Sequence, residues 1–336
     1  MDYILQTEEA LDKASTILRQ GGVVAFPTET VYGLGADVFN SLAVARVFEI
    51  KARPHFDPLI VHIACMDDLL RLAQKIPDKA LNLAKKFWPG PLTLVLLKKE
   101  IVPDIVTSGL PSVAIRMPRH NLALRLILKT ERPIVGPSAN PFGYLSPTTA
   151  HHVRDQLGSK IDFILDGGPC EVGLESTIIS FLEDPPRLLR PGGIPLEDIE
   201  STIGPINSTP LVKLKPEAPG LLPRHYAPRT RAYLDWSEAD FWRWKEEGKK
   251  IGLLSFRGEK TNLPFDHLEI LSPEGDLRQA AAALFASLHR LDKAKLDLIL
   301  IEKIPEIGLG RAIMDRLRRA TFLSSDNPFP SFSESP

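Results

Sequence analysis

The chain has 336 residues, 43% of them apolar and 25% charged, with a net charge of -1; this is an ordinary globular composition, long enough for two domains, and it excludes a global electrostatic field for nucleic acid or membrane. Two cysteines, Cys65 and Cys170, exclude a disulfide framework and lack the spacing of a zinc site. An acidic, helix-like start and the lack of any run of membrane-spanning length argue against a leader or a span, so a cytoplasmic protein is expected, with any RNA contact local.

In chain order, residues 7–19 read as a helix and residues 23–26, Val-Val-Ala-Phe, as a buried strand. Thr28, Glu29 and Thr30 follow that strand and lead into Gly33-Leu-Gly35, which reads as a turn. Residues 43–50 read as a helix stopped before Pro54. Then come a strand at 59–63, helices at 67–74 and 78–87, and strands at 92–97 and 113–117. A helix at 122–128, a short strand at 134–136, and strands at 161–165 and 177–181 complete an α/β domain with a mixed sheet. From 205 to 228 periodicity fades into proline, lysine and small residues, the composition of a linker. Beyond it, strands at 232–234, 251–255 and 296–301 alternate with helices at 240–247 and 277–291, a second α/β unit of about a hundred residues.

Neither standard nucleotide motif is present. No Gly-x-x-x-x-Gly-Lys-Ser/Thr run exists, and Val38 stands where a dinucleotide fingerprint would place its third glycine. Several smaller constellations could still hold an anion. Lys51 and Arg53, a point charge and a bidentate fork, suit phosphate oxygens; they equally suit the C-terminal dipole of the preceding helix. Arg116, just inside the end of a strand, faces either a ligand or a salt-bridge partner on a neighbouring loop. Gly136-Pro-Ser138-Ala-Asn140 is a donor-rich loop that forms either an anion nest or a plain turn. Glu175-Ser176-Thr177 carries similar weight, and Arg190-Pro-Gly-Gly is either an exposed arginine turn or a phosphate clamp. His62, inside Leu-Ile-Val-His-Ile, reads as a core histidine. His151-His152 lacks a third metal ligand at suitable spacing. Gly308-Leu-Gly310-Arg311, with Arg316, Arg318 and Arg319 after it, reads as a solvated charged helix behind a tight turn.

Taken in order, these segments resemble a known family. Pro27-Thr-Glu-Thr-Val-Tyr-Gly-Leu-Gly35, Lys51-Ala-Arg53-Pro, Pro58-Leu-Ile-Val-His62, Trp88-Pro-Gly-Pro91-Leu-Thr, Val113-Ala-Ile-Arg116-Met-Pro118, Pro137-Ser-Ala-Asn140, Glu175-Ser-Thr-Ile178 and Leu189-Arg-Pro-Gly192 resemble the YrdC-type threonylcarbamoyl-AMP synthases. Pro219-Gly220, His225-Tyr226-Ala227-Pro228 and the second domain resemble the long form of that family. The resemblance covers about residues 10–322. It implies an open twisted mixed α/β sheet over 1–205, a linker or lid at 206–230, and a smaller Rossmann-like α/β domain over 231–323. Residues 324–336 read as a disordered tail.

The resemblance also implies the reaction. L-threonine, bicarbonate and ATP give threonylcarbamoyl-AMP and pyrophosphate, and a separate transferase complex uses the product to modify tRNA next to the anticodon. Magnesium enters with ATP, and no tightly bound cofactor is expected. By resemblance, Thr30, His62, Arg116, Gly136 and Ser176 surround threonine, with Arg116 on its carboxylate. Lys51, Arg53, Asp57, Ser112, Ser138, Asn140, Ser146, Arg190 and Tyr226 surround ATP. Asp57 departs from the asparagine of many members, and a carboxylate there would repel phosphate unless a cation intervenes. Two other readings follow from the same family: double-stranded RNA on a concave basic face, and a carbamoyl-transfer enzyme of hydrogenase maturation. Two cysteines are too few for the zinc fingers of the latter.

Overall fold

The computed structural model describes residues 4–5, 7–209, 217–259 and 262–322; part of the expected linker and the expected tail lie outside them. The first strands and helices are β1 (Ile4–Leu5), α1 (Glu8–Arg19), β2 (Val24–Phe26), β3 (Gly33–Asp37), α2 (Ser41–Lys51) and β4 (Ile60–His62). They continue as α3 (Met66–Leu72), α4 (Asp78–Phe87), β5 (Leu92–Leu97), α5 (Asp104–Thr107), β6 (Ser112–Arg116), α6 (Asn121–Thr130) and β7 (Ile134–Val135). Next are α7 (Ala150–Leu157), β8 (Phe163–Leu165), β9 (Thr177–Ser180), β10 (Arg187–Arg190) and α8 (Leu196–Ile203). The second unit holds β11 (Arg231–Tyr233), α9 (Glu238–Glu246), β12 (Ile251–Ser255), β13 (His267–Ile270), α10 (Leu277–Lys293), β14 (Leu298–Ile301) and α11 (Gly310–Ala320).

Local chemistry sets several of these starts. Thr7 accepts from the Ala10 amide ahead of α1, and Asn40 accepts from Ala43 ahead of α2. Ser237 and Asp240 form a reciprocal capping box on α9. The Gly33-Leu-Gly35 segment is not a turn. Both glycines lie within β3, antiparallel to β2, where a Cβ on Gly33 would stand 2.7 Å from the Phe26 ring and one on Gly35 would stand 3.1 Å from it. They are small so that an aromatic ring can lie across the strand.

The larger sheet has ten strands in the order β1-β8-β2-β3-β7-β4-β6-β5-β9-β10, with parallel and antiparallel neighbours mixed. Side chains alternate between its faces. Val23, Ala25 and Val61 join the core under α2 and α4, whereas Val24 and Phe26 pack on the opposite face against α1 and α6. On that opposite face α1 and α6 cover one part, and Ile60, Ala114 and Ile178 meet Ala218 of the inter-domain segment on another. His62 and Arg116 share this face, because they continue the alternation of Ile60 and Ala114, and the parallel β4–β6 register sets them side by side.

The smaller sheet is fully parallel, in the order β11-β14-β12-β13. Its α10–α11 core is continuous with Val31, Leu145, Leu174 and Tyr226 of the preceding chain. Gly173, at φ +71°, lets the backbone of α10 approach so closely that a Cβ would lie 2.5 Å from the Ala281 carbonyl oxygen. The two units therefore meet through a packed apolar interface beside the larger sheet's open face.

Candidate functional site

The ends of β4, β6 and β10, the loops after β2 and β7, and the approach to β9 converge on one cavity of about 40 Å³. Thr30, His62, Arg116, Gly136 and Ser176, all five expected around threonine, line it. Arg53, Ser138, Arg190 and Tyr226 of the expected ATP group line it too. Lys51, Asp57 and Asn140 stand directly behind this layer. Ser112, at the start of β6, and Ser146 lie outside the lining.

The residues expected around threonine form a set of close, partly unsatisfied polar groups. Arg116 donates to the Thr30 hydroxyl at 2.9 Å, and its Nη2 lies 2.8 Å from Glu29 Oε2. That ion pair is close but misaligned for a hydrogen bond, and both Glu29 oxygens and Arg116 Nη2 have no hydrogen-bond partner. His62 packs edge-on to Phe26, with ring centroids 5.5 Å apart. Burial, then the charge of Arg116, lowers the His62 pKa to about 3, so the ring is neutral. Its Nδ1 is buried without a partner. A Cβ on Gly136 would lie 2.6 Å from that atom, so only glycine lets the histidine sit against this loop. The Ser176 hydroxyl pairs with Thr93 at 2.7 Å.

The cations expected around ATP are already engaged within the protein. Lys51, at the last turn of α2, reaches away from its own helix and donates to the carbonyls of Ser138 and Asn140, each at 2.5 Å. It is 1% exposed, and burial together with neighbouring Arg53 pushes its pKa well below the usual lysine range. Arg53 spans the Asp57 and Pro58 carbonyls at 2.9 Å and meets the Asp57 carboxylate at 2.9 Å. Asp57 is fully buried; burial raises its pKa, while Arg53 and Lys51 oppose the rise. Its carboxylate thus faces an arginine, which removes the repulsion its position first suggests. Arg190 is neither an exposed turn nor a free clamp. It is 3% exposed, donates twice to the Ser176 carbonyl at 3.0 and 3.2 Å, and holds the Pro219 carbonyl at 3.0 Å.

The segment from Pro219 to Tyr226 closes the cavity. Tyr226 takes φ +60° and is 1% exposed, with no hydrogen-bond partner on its Oη. A Cβ on Gly220, at φ +78°, would lie 2.4 Å from that oxygen. His225 stacks edge-on against Phe142, 5.5 Å away, and burial with Arg53 holds it neutral.

Sequence reading placed Arg316 on a solvated helix, and the structure corrects this. Arg316 is 1% exposed, donates to Glu175 Oε2 at 2.8 Å, and lies 5.1 Å from the Tyr226 ring centroid. The helical spacing carried the signal: Ala312, Ile313 and Ala320, four, three and four residues away, are all buried on the same stripe. Glu175 lines the cavity and also accepts from Ser146 at 2.5 Å. His152 of the His151-His152 pair stacks on His289 of α10, with ring centroids 4.0 Å apart. Among the described residues no helix is long and apolar enough to cross a membrane.

Comparison with known proteins matches this geometry. Residues 16–192 match the Sua5/YciO/YrdC family model, described as "Telomere recombination", and residues 194–321 match the model described as "Threonylcarbamoyl-AMP synthase, C-terminal domain". A threonylcarbamoyl-AMP synthase of Pyrococcus abyssi is 45% identical over 96% of this chain and 98% of its own. One from Bacillus subtilis is 42% identical over 95% of each. The crystal structure of Pyrococcus abyssi Sua5 complexed with L-threonine superimposes with a TM-score of 0.87, covering 95% of this chain and 96% of that one.

Proposed function

The chain belongs to the threonylcarbamoyl-AMP synthase family in its two-domain form, an enzyme of nucleotidyltransferase type acting on threonine and ATP, and on that footing we propose how its residues divide the reaction. The observation that carries the proposal is a set of buried polar atoms without hydrogen-bond partners: Arg116 Nη2, His62 Nδ1 and Tyr226 Oη on residues lining the cavity, and both oxygens of Glu29, ion-paired to Arg116 beside it. Buried polar groups normally find partners, and each one left without costs about 1–3 kcal/mol. A small polar zwitterion such as threonine, with carboxylate, amine and hydroxyl, supplies the missing donors and acceptors. Its carboxylate takes Arg116, Thr30 and Ser176 bear on the remaining polar atoms, and neutral His62 leaves the amine side free of a competing charge.

Bicarbonate is the third substrate in this reading. The threonine nitrogen forms a bond to its carbon, water leaves, and a carbamate results. A carbamate oxygen then bonds to the α-phosphorus of ATP as the Pα–O bond to pyrophosphate breaks. Charge builds on phosphoryl oxygens and the leaving group, where Lys51, Arg53, Arg190 and the backbone amides of the 136–140 loop stabilise it. Magnesium accompanies the nucleotide as part of the substrate, held on phosphate oxygens and water. The product feeds a separate transferase that modifies tRNA beside the anticodon. The RNA-binding alternative draws no support from these cations, since Lys51, Arg53, Arg116 and Arg190 are all buried and engaged with carboxylates, hydroxyls or carbonyls.

A cavity of about 40 Å³ accommodates little more than water, so ATP entry requires the Pro219–Tyr226 segment to lift. Closure over the nucleotide then shields a product that water would destroy. Deleting residues 218–228 is expected to collapse the yield of threonylcarbamoyl-AMP. An unchanged yield would remove the segment from the mechanism.

A further inference from the structure

Helix α11 of the small domain projects one guanidinium into the wall of the active site. Arg316 Nε donates to Glu175 at 2.8 Å, Nη1 donates to the Pro191 carbonyl at 3.0 Å, and Nη1 also meets Asp315 at 2.6 Å. Nη2 is buried without a partner. The guanidinium faces the Tyr226 ring. One turn later Arg319 donates to the Leu222 carbonyl at 2.6 Å and accepts the His225 amide on its own carbonyl at 3.3 Å. The same helix therefore touches Glu175, just before β9 of the larger sheet, and three positions of the covering segment.

We propose that Arg316 is a positioning residue of the active site, neutralising Glu175 so that the charge of Arg190, which is held by carbonyls and paired with no carboxylate among the described residues, acts on nucleotide phosphates, which makes the small domain part of the catalytic centre. Glu175 lines the cavity and is 7% exposed, beside Ser176 and within reach of the field of Arg190. Burial disfavours its charge, but Arg316 and Arg190 outweigh burial and keep it ionised. A buried carboxylate facing a tetra-anionic nucleotide would repel it and would draw Arg190 away from it. Arg316 removes both effects by satisfying the carboxylate from behind, with Ser146 holding the other oxygen. Its contact with Tyr226 places the same charge against the covering segment, where a cation over an aromatic face is attractive. The pairing crosses the domain boundary, so nucleotide affinity depends on the small domain being docked.

The proposal rests on the functional reading above, and the experiment separates the two. Dissociation constants for magnesium-ATP and for threonine are measured by titration calorimetry, with pyrophosphate release in parallel, on the full chain. Arg316→Met is expected to weaken ATP by about tenfold or more, with threonine affinity changed far less. Arg316→Met/Glu175→Gln is expected to regain most of the lost ATP affinity, because the stranded charge is gone. Arg316→Lys, which keeps the charge but not the fork across Glu175 and Pro191, is expected to fall between. Arg318→Ala on the exposed side of the helix, where Arg318 pairs with Glu306, is expected to match the parent protein. The proposal is overturned if Arg316→Met binds ATP like the parent, or if adding Glu175→Gln restores nothing. Should Arg316→Met fail to fold, parent-like ATP affinity in Arg316→Gln overturns it. A parent protein that binds ATP but releases pyrophosphate without threonine would sink the functional reading, while ATP affinity still decides Arg316.

Discussion

Replacing Arg116 with methionine separates the ion pair that the structure shows from the threonine contact proposed for the same side chain. Arg116 is the ionic partner of Glu29, which is 1% exposed and has no hydrogen bond on either oxygen. Removing one member of a buried pair strands the other, at a cost of about 3–5 kcal/mol. For a domain of this size that lowers the melting temperature by about 6–20 °C. The same substitution removes the donor assigned to the threonine carboxylate. A charged hydrogen bond contributes about 1.5–3 kcal/mol, or roughly tenfold to over a hundredfold in threonine affinity. Arg116→Met/Glu29→Gln takes away the stranded carboxylate. It is expected to recover most of the melting temperature by differential scanning fluorimetry but none of the threonine affinity by calorimetry. If the double variant binds threonine as the parent does, Arg116 serves only to neutralise Glu29, and its assignment to the carboxylate is wrong.

Three further predictions follow from single contacts. Gly136→Ala drives a Cβ to within 2.6 Å of His62 Nδ1 and 2.9 Å of the Phe26 ring; overpacking of this kind costs about 1–3 kcal/mol, and threonine KM should rise more than ATP KM in steady-state kinetics. Lys51→Met strands the Ser138 and Asn140 carbonyls, about 1–3 kcal/mol each, and should abolish ATP turnover while calorimetry still detects threonine. His152 and His289, stacked across the domain interface, have pKa values lowered to about 3 and about 4, by burial first. Both values lie below the unfolded histidine value of about 6.5, so the unfolded chain takes up protons first as pH falls. Stability from this pair is full above that pH and is lost on acidification toward pH 4. Asp155, Lys293, Arg290 and Asp292 surround the pair, and the Ser146 carbonyl meets His289. His152→Gln/His289→Gln should flatten the fall of melting temperature between pH 6.5 and pH 4.5, and an unchanged slope would exclude the pair as its source.

Much of this was legible because function here is local in sequence. The resemblance of the motif series to a family groups Thr30, His62, Arg116 and Ser176, whereas the local pattern alone reads His62 as a core histidine. The glycines of β3 misled because Gly-x-Gly marks turns more often than strands; the Phe26 ring that requires them lies seven residues earlier across an antiparallel pair. Strand β10 and helices α7 and α8 are only four and eight residues long, too short for their periodicity to stand out in the chain. Arg316 was read as solvent-facing because charge count outweighed its position on the apolar stripe of α11, and nothing local announces a carboxylate partner 141 residues away. The internal compensation of the cations, with Arg53 on Asp57, Arg116 on Glu29 and Arg316 on Glu175, is a property of the assembled site and invisible in the chain.

The central claim is that one cavity joins threonine, bicarbonate and ATP. It is tested most directly by supplying carbon-13 bicarbonate with magnesium-ATP, with and without L-threonine, and following label and pyrophosphate together. The account predicts labelled threonylcarbamoyl-AMP and pyrophosphate in equal amounts, and neither without threonine. Pyrophosphate released without threonine, or a product carrying no label, would contradict it.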